Sequence, residues 1–424
     1  MKLFFVRHGE IPGIATRTTK NGPSFHPASA QRRAGYITRD GEIFVCFEAI
    51  VQMGSNYFPG VRPCNREKIL FRSGPMSAVR PSILIIRRRY LGDVVLLGSV
   101  FRNLRLHWPT AHLSALVEPA YAPVLALNPD VDLALTLPTR IAGWPSFLRK
   151  LRRMRFTHVL DFDNTEKTAA IARLSGAPFR LVLSHGYGVK LRSCYSHQVD
   201  DPADAHETRP ITDYYLSALP PAGVPIATRE IRLTPRPEDL AEMRRLVGAA
   251  GPVLLVHPGT RSPWRRWPAE RFAAACDYAQ DELGAQAVLV GGPGEQAVIA
   301  EILSHTRTHI LTLSEPPSVG RLAALAQLSR VILCHDSGPM HVAAAVGTPV
   351  IALYGSQNAA LFRPMGEGHT VLQPPLPCIT CVSPGRCVPD DSYRNHCVQN
   401  IPVTTVRSAL ARCFRSASEV KTAG

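Results

Sequence analysis

The stretch CHDSGPMHVAAAVGTPVIALYGS, residues 334–356, sets Asp336, Ser337 and Gly338 between an apolar strand (Val331, Ile332, Leu333) and a small-residue segment of helical character that contains His341. A helix that begins there exposes unpaired backbone N–H groups, which can hold an anion. Three other junctions are similarly equipped. After the run ILII come Arg87, Arg88, Arg89, Tyr90, Leu91, Gly92 and Asp93. VLLV is followed by His257, Gly259, Thr260, Arg261, Ser262, Arg265 and Arg266, with Pro268 suited to a first helical turn. VLV is followed by Gly291, Gly292, Gly294 and Glu295. Hydroxyls, arginines and free N–H groups converging on helix starts make diphosphate-binding chemistry, and a nearby glutamate can accept from ribose hydroxyls.

Each junction alone has an ordinary structural explanation. Asp93 could cap its helix or serve as a catalytic base, and from the residues both alternatives stay open. Asp336 and Ser337 could likewise be caps, and the glycine cluster lacks the full GxGxxG spacing of dinucleotide enzymes. A bare cap does not explain four such junctions in one chain.

The elements that must position these residues read as two series of alternating strands and helices. ILII is an uninterrupted aliphatic run, as a strand covered on both faces requires. HLSALVEP, VDLALTLP, THVLDFDN and FRLVLSH repeat the strand signal, with helical stretches such as TEKTAAIARLSGA between them. A second series starts near residue 236 with PRPEDLAEMRRLVGAAG, a helix with acids early, arginines late and a Gly stop, then PVLLVHPG, AQAVLVGG, VILCHDSG and GTPVIALYG. The fold class expected is α/β, with two Rossmann-like domains facing a cleft. The expected boundaries are an extension over 1–80 without sustained strand or helix period, an N-terminal half over 81–225, a Pro-rich linker near 220–236, a C-terminal half over 236–405, and a tail over 406–424.

Composition narrows the partners. The 48 Lys and Arg residues outnumber 33 Asp and Glu, a formal net charge of +15, which favours an anionic partner. No interleaved aromatic and basic patch points to nucleic acid, so none is expected. No apolar run reaches the roughly 18 residues of a membrane span, and MKLFFVRHGE is too short in its apolar part for a signal-peptide core. That start also matches the Arg-His-Gly opening of histidine phosphatases at Arg7, His8, Gly9 and Glu10, but nothing else of that pattern follows. Four late cysteines, Cys378, Cys381, Cys387 and Cys397, could hold a structural zinc or form a reduced, packed cluster. Their spacing is not the paired CxxC pattern, so packing is the expectation.

Taken together, ILIIRRRYLGDVV, LVEPAYAPVLALNPDVD, VHPGTRSPWRRWPAERF, LVGGPGE and CHDSGPMHVAAAVGTPVIALYG resemble glycosyltransferase family 9, the ADP-heptose:lipopolysaccharide heptosyltransferases, in family order over about residues 82–405. The resemblance implies a GT-B enzyme whose N-terminal half takes the acceptor and whose C-terminal half takes the nucleotide sugar. It implies Asp93 as general base. It also implies donor diphosphate or sugar contacts from Gly92, Gly259, Thr260, Arg265, Asp336, Ser337, Gly338 and His341, and a ribose contact from Glu295. At Arg265 a lysine is commoner in the family, and the exchange keeps the charge while altering reach. The function so implied is inverting transfer of a heptose from ADP-heptose to a lipopolysaccharide core or related lipid-linked glycan, without a cofactor. The cytoplasm is the implied compartment, with peripheral contact at the inner membrane face. The alternative is a non-catalytic nucleotide-sugar-binding protein of the same fold. An epimerase or dehydrogenase would want an N-terminal GxGxxG and a Tyr-x-x-x-Lys pair, and neither is present in context.

Overall fold

The structure is a computed structural model, and the residues it describes are 35–39, 42–46, 80–184, 188–200, 209–249, 251–261, 265–355, 357–375 and 396–415. The chain divides into two compact units, Met1–Val79 and Arg80–Gly424. In the first, strands β1 (Gly35–Arg39) and β2 (Glu42–Cys46) pair antiparallel with Arg39 opposite Glu42. The extension is expected to lack a sustained strand or helix period, and these two five-residue strands are what the structure describes in it. The signal was Asp40-Gly41 between the strands, a dipeptide suited to a two-residue hairpin turn. The phosphatase-like residues Arg7 to Glu10 lie outside the described residues.

The second unit holds two six-stranded sheets, each parallel throughout. The first contains β3 (Ser82–Ile86), β4 (His112–Val117), β5 (Leu133–Thr136), β6 (His158–Asp161), β7 (Phe179–Ser184) and β8 (His197–Asp200), in the order β5-β4-β3-β6-β7-β8. The second contains β9 (Val253–His257), β10 (Gln286–Leu289), β11 (Leu311–Thr312), β12 (Val331–His335), β13 (Val350–Leu353) and β14 (Thr370–Leu372), in the order β11-β10-β9-β12-β13-β14. Both orders are doubly wound, and each reverses direction beside its first strand, at β3/β6 and at β9/β12. Such a reversal opens a crevice at the carboxyl ends of the strands, where ligands bind.

The aliphatic runs are explained by helices on both faces. In β3, Ile83 and Ile85 join one core while Leu84 and Ile86 join another on the opposite face. In β9, Leu254 and Val256 face one helical layer and Val253 and Leu255 the other. The core of the first half continues across the junction through Ala323, Val342 and Ala345 of the second. Where the halves touch, the helix Leu91–Leu96 packs on the helix Gly338–Ala345.

The Pro-rich linker is anchored rather than loose. The Asn103 carboxamide oxygen accepts from the Ala227 and Thr228 N–H groups at 2.6 and 3.1 Å. Further on, Leu233 N–H donates to the Ala345 carbonyl at 2.9 Å, and Thr234 N–H to that of Leu127 at 2.7 Å. At the far end, the helix Val403–Arg415 buries Val406, Ala409 and Leu410 in the core of the second half. The expected boundary at 405 therefore falls inside a packed helix, and its amphipathic spacing is the reason.

Candidate active site

Asp93 is the third residue of the helix Leu91–Leu96, which leaves β3 after a turn. The residue before that helix, Tyr90, has φ +71 and makes no side-chain cap. Positive φ at a bulky residue is strained, and such strain concentrates at functional sites. The Asp93 carboxylate does not cap the helix either. Its Oδ2 lies 2.7 Å from an Arg87 nitrogen, and the Tyr215 hydroxyl donates to Oδ1 at 3.0 Å. Arg87 in turn donates to the Phe162 carbonyl at 2.8 Å and lies 3.5 Å from Asp163. Burial opposes the charge on Arg87, but Tyr215, Asp93 and Asp163 outweigh it and hold its guanidinium above the ordinary value. Asp163 is fixed by the Arg88 backbone N–H at 3.1 Å and the Arg88 Nε at 2.7 Å. Arg87 and Arg88 thus orient carboxylates instead of standing free for a phosphate.

The opposite wall comes from the second half. After β9, Gly259 lies so close to Glu295 that a Cβ there would stand 1.9 Å from the Glu295 carboxylate. Glu295 accepts from the Gly292 N–H at 2.6 Å and stands 3.9 Å from His257 Nε2. Arg265 reaches toward Asp336, at 3.9 Å, and the carboxamide oxygen of Gln357 accepts from both its terminal nitrogens at 2.5 Å. Burial lowers the Arg265 pKa and Asp336 raises it. Burial pushes the Asp336 carboxyl up to about 6, with Arg265 acting against the shift and Asp93 adding to it. Asp93 and Asp336 therefore feel each other across the cleft.

The expected capping by Ser337 is not made. Ser337 occupies the N-cap position, but its hydroxyl turns back to the His335 carbonyl at 3.3 Å. Pro339 has no N–H and the Met340 N–H donates to the Ser337 carbonyl at 3.1 Å, so it is the Gly338 N–H that this helix start leaves for a ligand. Gly338 permits contact with Leu91, and Gly92 permits contact with His341: a Cβ at Gly92 would stand 2.7 Å from His341 Cδ2. His341 is buried, which pushes its pKa down to about 4 while Asp93 raises it, so the ring is neutral. The Nδ1 atoms of His257 and His341 are buried without a partner among the described residues.

Both walls line one cavity of about 1280 Å³. It brings together Gly92, Asp93, Gly259, Thr260, Arg265, Glu295, Asp336, Ser337, Gly338 and His341, which the sequence picks out from segments far apart in the chain. Three members of the cysteine cluster, Cys378, Cys381 and Cys387, lie outside the described residues, as does Ser262. Cys397 lies near enough to Arg265 to favour its charge. Sequence reasoning missed the pairing of Arg87 with Asp93, and also Tyr215, Asp163 and Gln357. Asp163 was within reach, because it follows the strand that pairs with β3. Tyr215 gave no signal, since it sits in the apolar-looking helix Ile211–Leu216 122 residues away. Tyr90 and Arg261 also face each other across the cleft, the guanidinium 4.2 Å from the ring centroid.

Two doubly wound halves facing one cleft, a carboxylate on one wall and anion-binding helix starts on the other, define a glycosyltransferase of the GT-B fold. Residues 144–388, more than half of the chain, match the model of glycosyltransferase family 9 (heptosyltransferase), and the chain belongs to that family. It is 27% identical over 292 residues to lipopolysaccharide heptosyltransferase 3 of Escherichia coli K12, covering 66% of this chain and 84% of that protein. Among solved structures it is similar to the glycosyl transferase family 9 protein from Veillonella parvula, with a TM-score of 0.70 and 23% identity over 79% of this chain and 98% of that one. It is similar also to E. coli ADP-heptose lps heptosyltransferase II, with a TM-score of 0.65 and 21% identity over 80% and 99% of the two chains. These two likenesses concern the fold.

Proposed function

We propose that this glycosyltransferase moves a heptose from ADP-heptose to a lipopolysaccharide core acceptor with inversion at the anomeric carbon. The family supports the reaction class. The donor and acceptor follow from the relatives, one named a lipopolysaccharide heptosyltransferase and another an ADP-heptose lps heptosyltransferase. The observation that carries the chemistry is the placement of Asp93 opposite the anion-binding junctions, with both its oxygens oriented by Arg87 and Tyr215.

In this reading the acceptor hydroxyl enters from the first half and gives its proton to Asp93 as its oxygen attacks the anomeric carbon. The bond to the diphosphate oxygen breaks on the opposite face, and the electron pair leaves with the nucleoside diphosphate. That group gains charge as it departs. Arg265, Thr260 and the Gly338 N–H at the start of the helix Gly338–Ala345 stand where they stabilise it. Glu295 is assigned to the ribose; the close approach at Gly259 sets its carboxylate at the cavity wall. A purely binding role leaves the arrangement around Asp93 without a use.

The described residues contain no helix long and apolar enough to cross a membrane. With a lipid-linked acceptor, the site of action is the cytoplasmic face of the membrane, reached by peripheral contact. The reading is tested by calorimetry of the purified chain against ADP-heptose and UDP-, GDP- and other ADP-sugars. Preference for ADP-heptose is expected. Preference for a non-ADP donor removes the heptosyltransferase assignment and leaves the fold intact.

A further inference from the structure

Three loops leave the carboxyl ends of β5, β6 and β7, the same edge of the first sheet from which Asp93 departs after β3. They display aliphatic side chains to solvent. Ile141, in the turn after β5, is 89% exposed, and Leu191, in the loop after β7, is 50% exposed. Leu191 has φ +47, a left-handed conformation that a bulky residue avoids, so its outward display is held against local preference. Around them stand four exposed bases, Arg140, Lys167, Lys190 and Arg192, against one exposed acid, Glu166, in segments 138–144, 164–167 and 188–192. Among the described residues none of the four bases is paired with a carboxylate.

The loops are tied into a fixed platform. Asn164 donates to the Gly188 carbonyl at 2.8 Å and accepts from the Lys190 N–H at 2.9 Å. Lys167 lies 5.1 Å from the centroid of the Trp144 ring, which packs edge-on against the buried Phe147 at 5.7 Å. Behind Trp144, the helix Trp144–Arg153 buries Phe147 and Leu151 and turns Arg149, Lys150, Arg152 and Arg153 to solvent.

The distribution selects the partner. A small anion would need bases converging on one point, whereas these are spread over three loops with aliphatics among them. A broad, flat, anionic surface with an apolar interior fits both features. We infer that this rim docks on a bilayer containing anionic phospholipid, with Ile141 and Leu191 entering the headgroup region and the four bases contacting lipid phosphates. The docking deepens the transferase reading and rests on it in one respect: it presents the cleft to the surface in which a lipid-linked acceptor is embedded.

The test uses the full chain with vesicles of phosphatidylcholine alone or with phosphatidylglycerol. Cosedimentation with the anionic vesicles is expected, reversed by salt and absent with phosphatidylcholine alone. Arg140→Glu, Lys190→Glu and Arg192→Glu combined should weaken it by roughly tenfold or more. Ile141→Trp should show blue-shifted emission on the anionic vesicles, a readout independent of activity. Transfer to an acceptor stripped of its acyl chains should be unchanged in the charge-reversed variant, while transfer to vesicle-embedded acceptor falls. Vesicle binding equal in wild type and variant, or no blue shift, overturns the proposal. An equal loss on the stripped acceptor also overturns it, by making the rim a glycan contact. If wild type transfers to neither acceptor, the transferase reading fails, and vesicle binding alone still decides the docking.

Discussion

Arg87, the first residue after the strand β3, and Asp93, on the helix that follows, form a largely buried ion pair of 2.7 Å. Tyr215 holds the other carboxylate oxygen at 3.0 Å. Each oxygen keeps a lone pair free, so the carboxylate can accept a third partner in a direction fixed by the other two. Orientation of this kind is worth most when the partner is a reacting hydroxyl.

Tyr215→Phe removes one of the two orienting contacts and adds no bulk. Turnover is expected to fall about tenfold with donor affinity unchanged, and stability by about 1 kcal/mol for the lost buried hydrogen bond. Steady-state kinetics and donor titration check this. An unchanged turnover would show that the Tyr215 contact does not orient the base.

Arg265→Ala should weaken donor binding and turnover together, because the diphosphate is bound in the ground state and gains charge as it leaves. The loss in turnover should exceed the loss in affinity. Titration with ADP-heptose alongside single-turnover rates separates the two. Unaltered affinity would remove Arg265 from the diphosphate site.

Gly92→Ala places a methyl 2.7 Å from the buried His341 ring, so the contact between the halves must shift. A destabilisation of about 1–3 kcal/mol is expected. The same substitution made in a His341→Ala background should cost much less, since the obstructing ring is gone. Chemical denaturation of the four proteins gives the comparison, and equal costs in both backgrounds would contradict the packing.

The acid limb should be shaped by groups of opposite sign. Asp336 has a folded pKa raised from 3.8 to about 6, so its charged form is unfavourable in the folded state; that stability is present below 3.8 and lost as pH rises through about 6. His341 and His335, pushed by burial to about 4 and about 3, contribute stability above their ordinary 6.5 that is lost on acidification. Asp336→Asn isolates the first effect. The variant should be more stable than wild type at neutral pH, by up to about 3 kcal/mol, with the gap closing as pH falls below about 6. A gap independent of pH would place the Asp336 pKa in the usual carboxylate range.

Much of this site was legible because the fold is local in its logic. A parallel strand covered on both faces must be an aliphatic run, so the polar residues after ILII, VLLV and VILC stand out at the edge where ligands bind. Arg265, Asp336 and His341 were readable for that reason. Tyr215 was not, because its position beside Asp93 depends on how a helix 122 residues away returns to the first sheet. The pairing of Arg87 with Asp93 was not readable either, since sequence shows a charge but not the two carboxylates that consume it. The strand pair Gly35–Arg39 and Glu42–Cys46 was missed by weighing composition over the Asp-Gly dipeptide in the sequence between them, and the last helix by ending the domain before its buried face.

The role of Asp93 as the base in heptose transfer is decided by comparing wild type and Asp93→Asn with ADP-heptose and a lipopolysaccharide core acceptor, the glycosylated product measured by mass spectrometry. Asparagine keeps the size and much of the hydrogen bonding while removing the basic oxygen. Wild type should give product bearing one added heptose, and the variant near-normal donor affinity with turnover lower by roughly 10²–10⁴-fold. Transfer by Asp93→Asn at the wild-type rate would contradict that role.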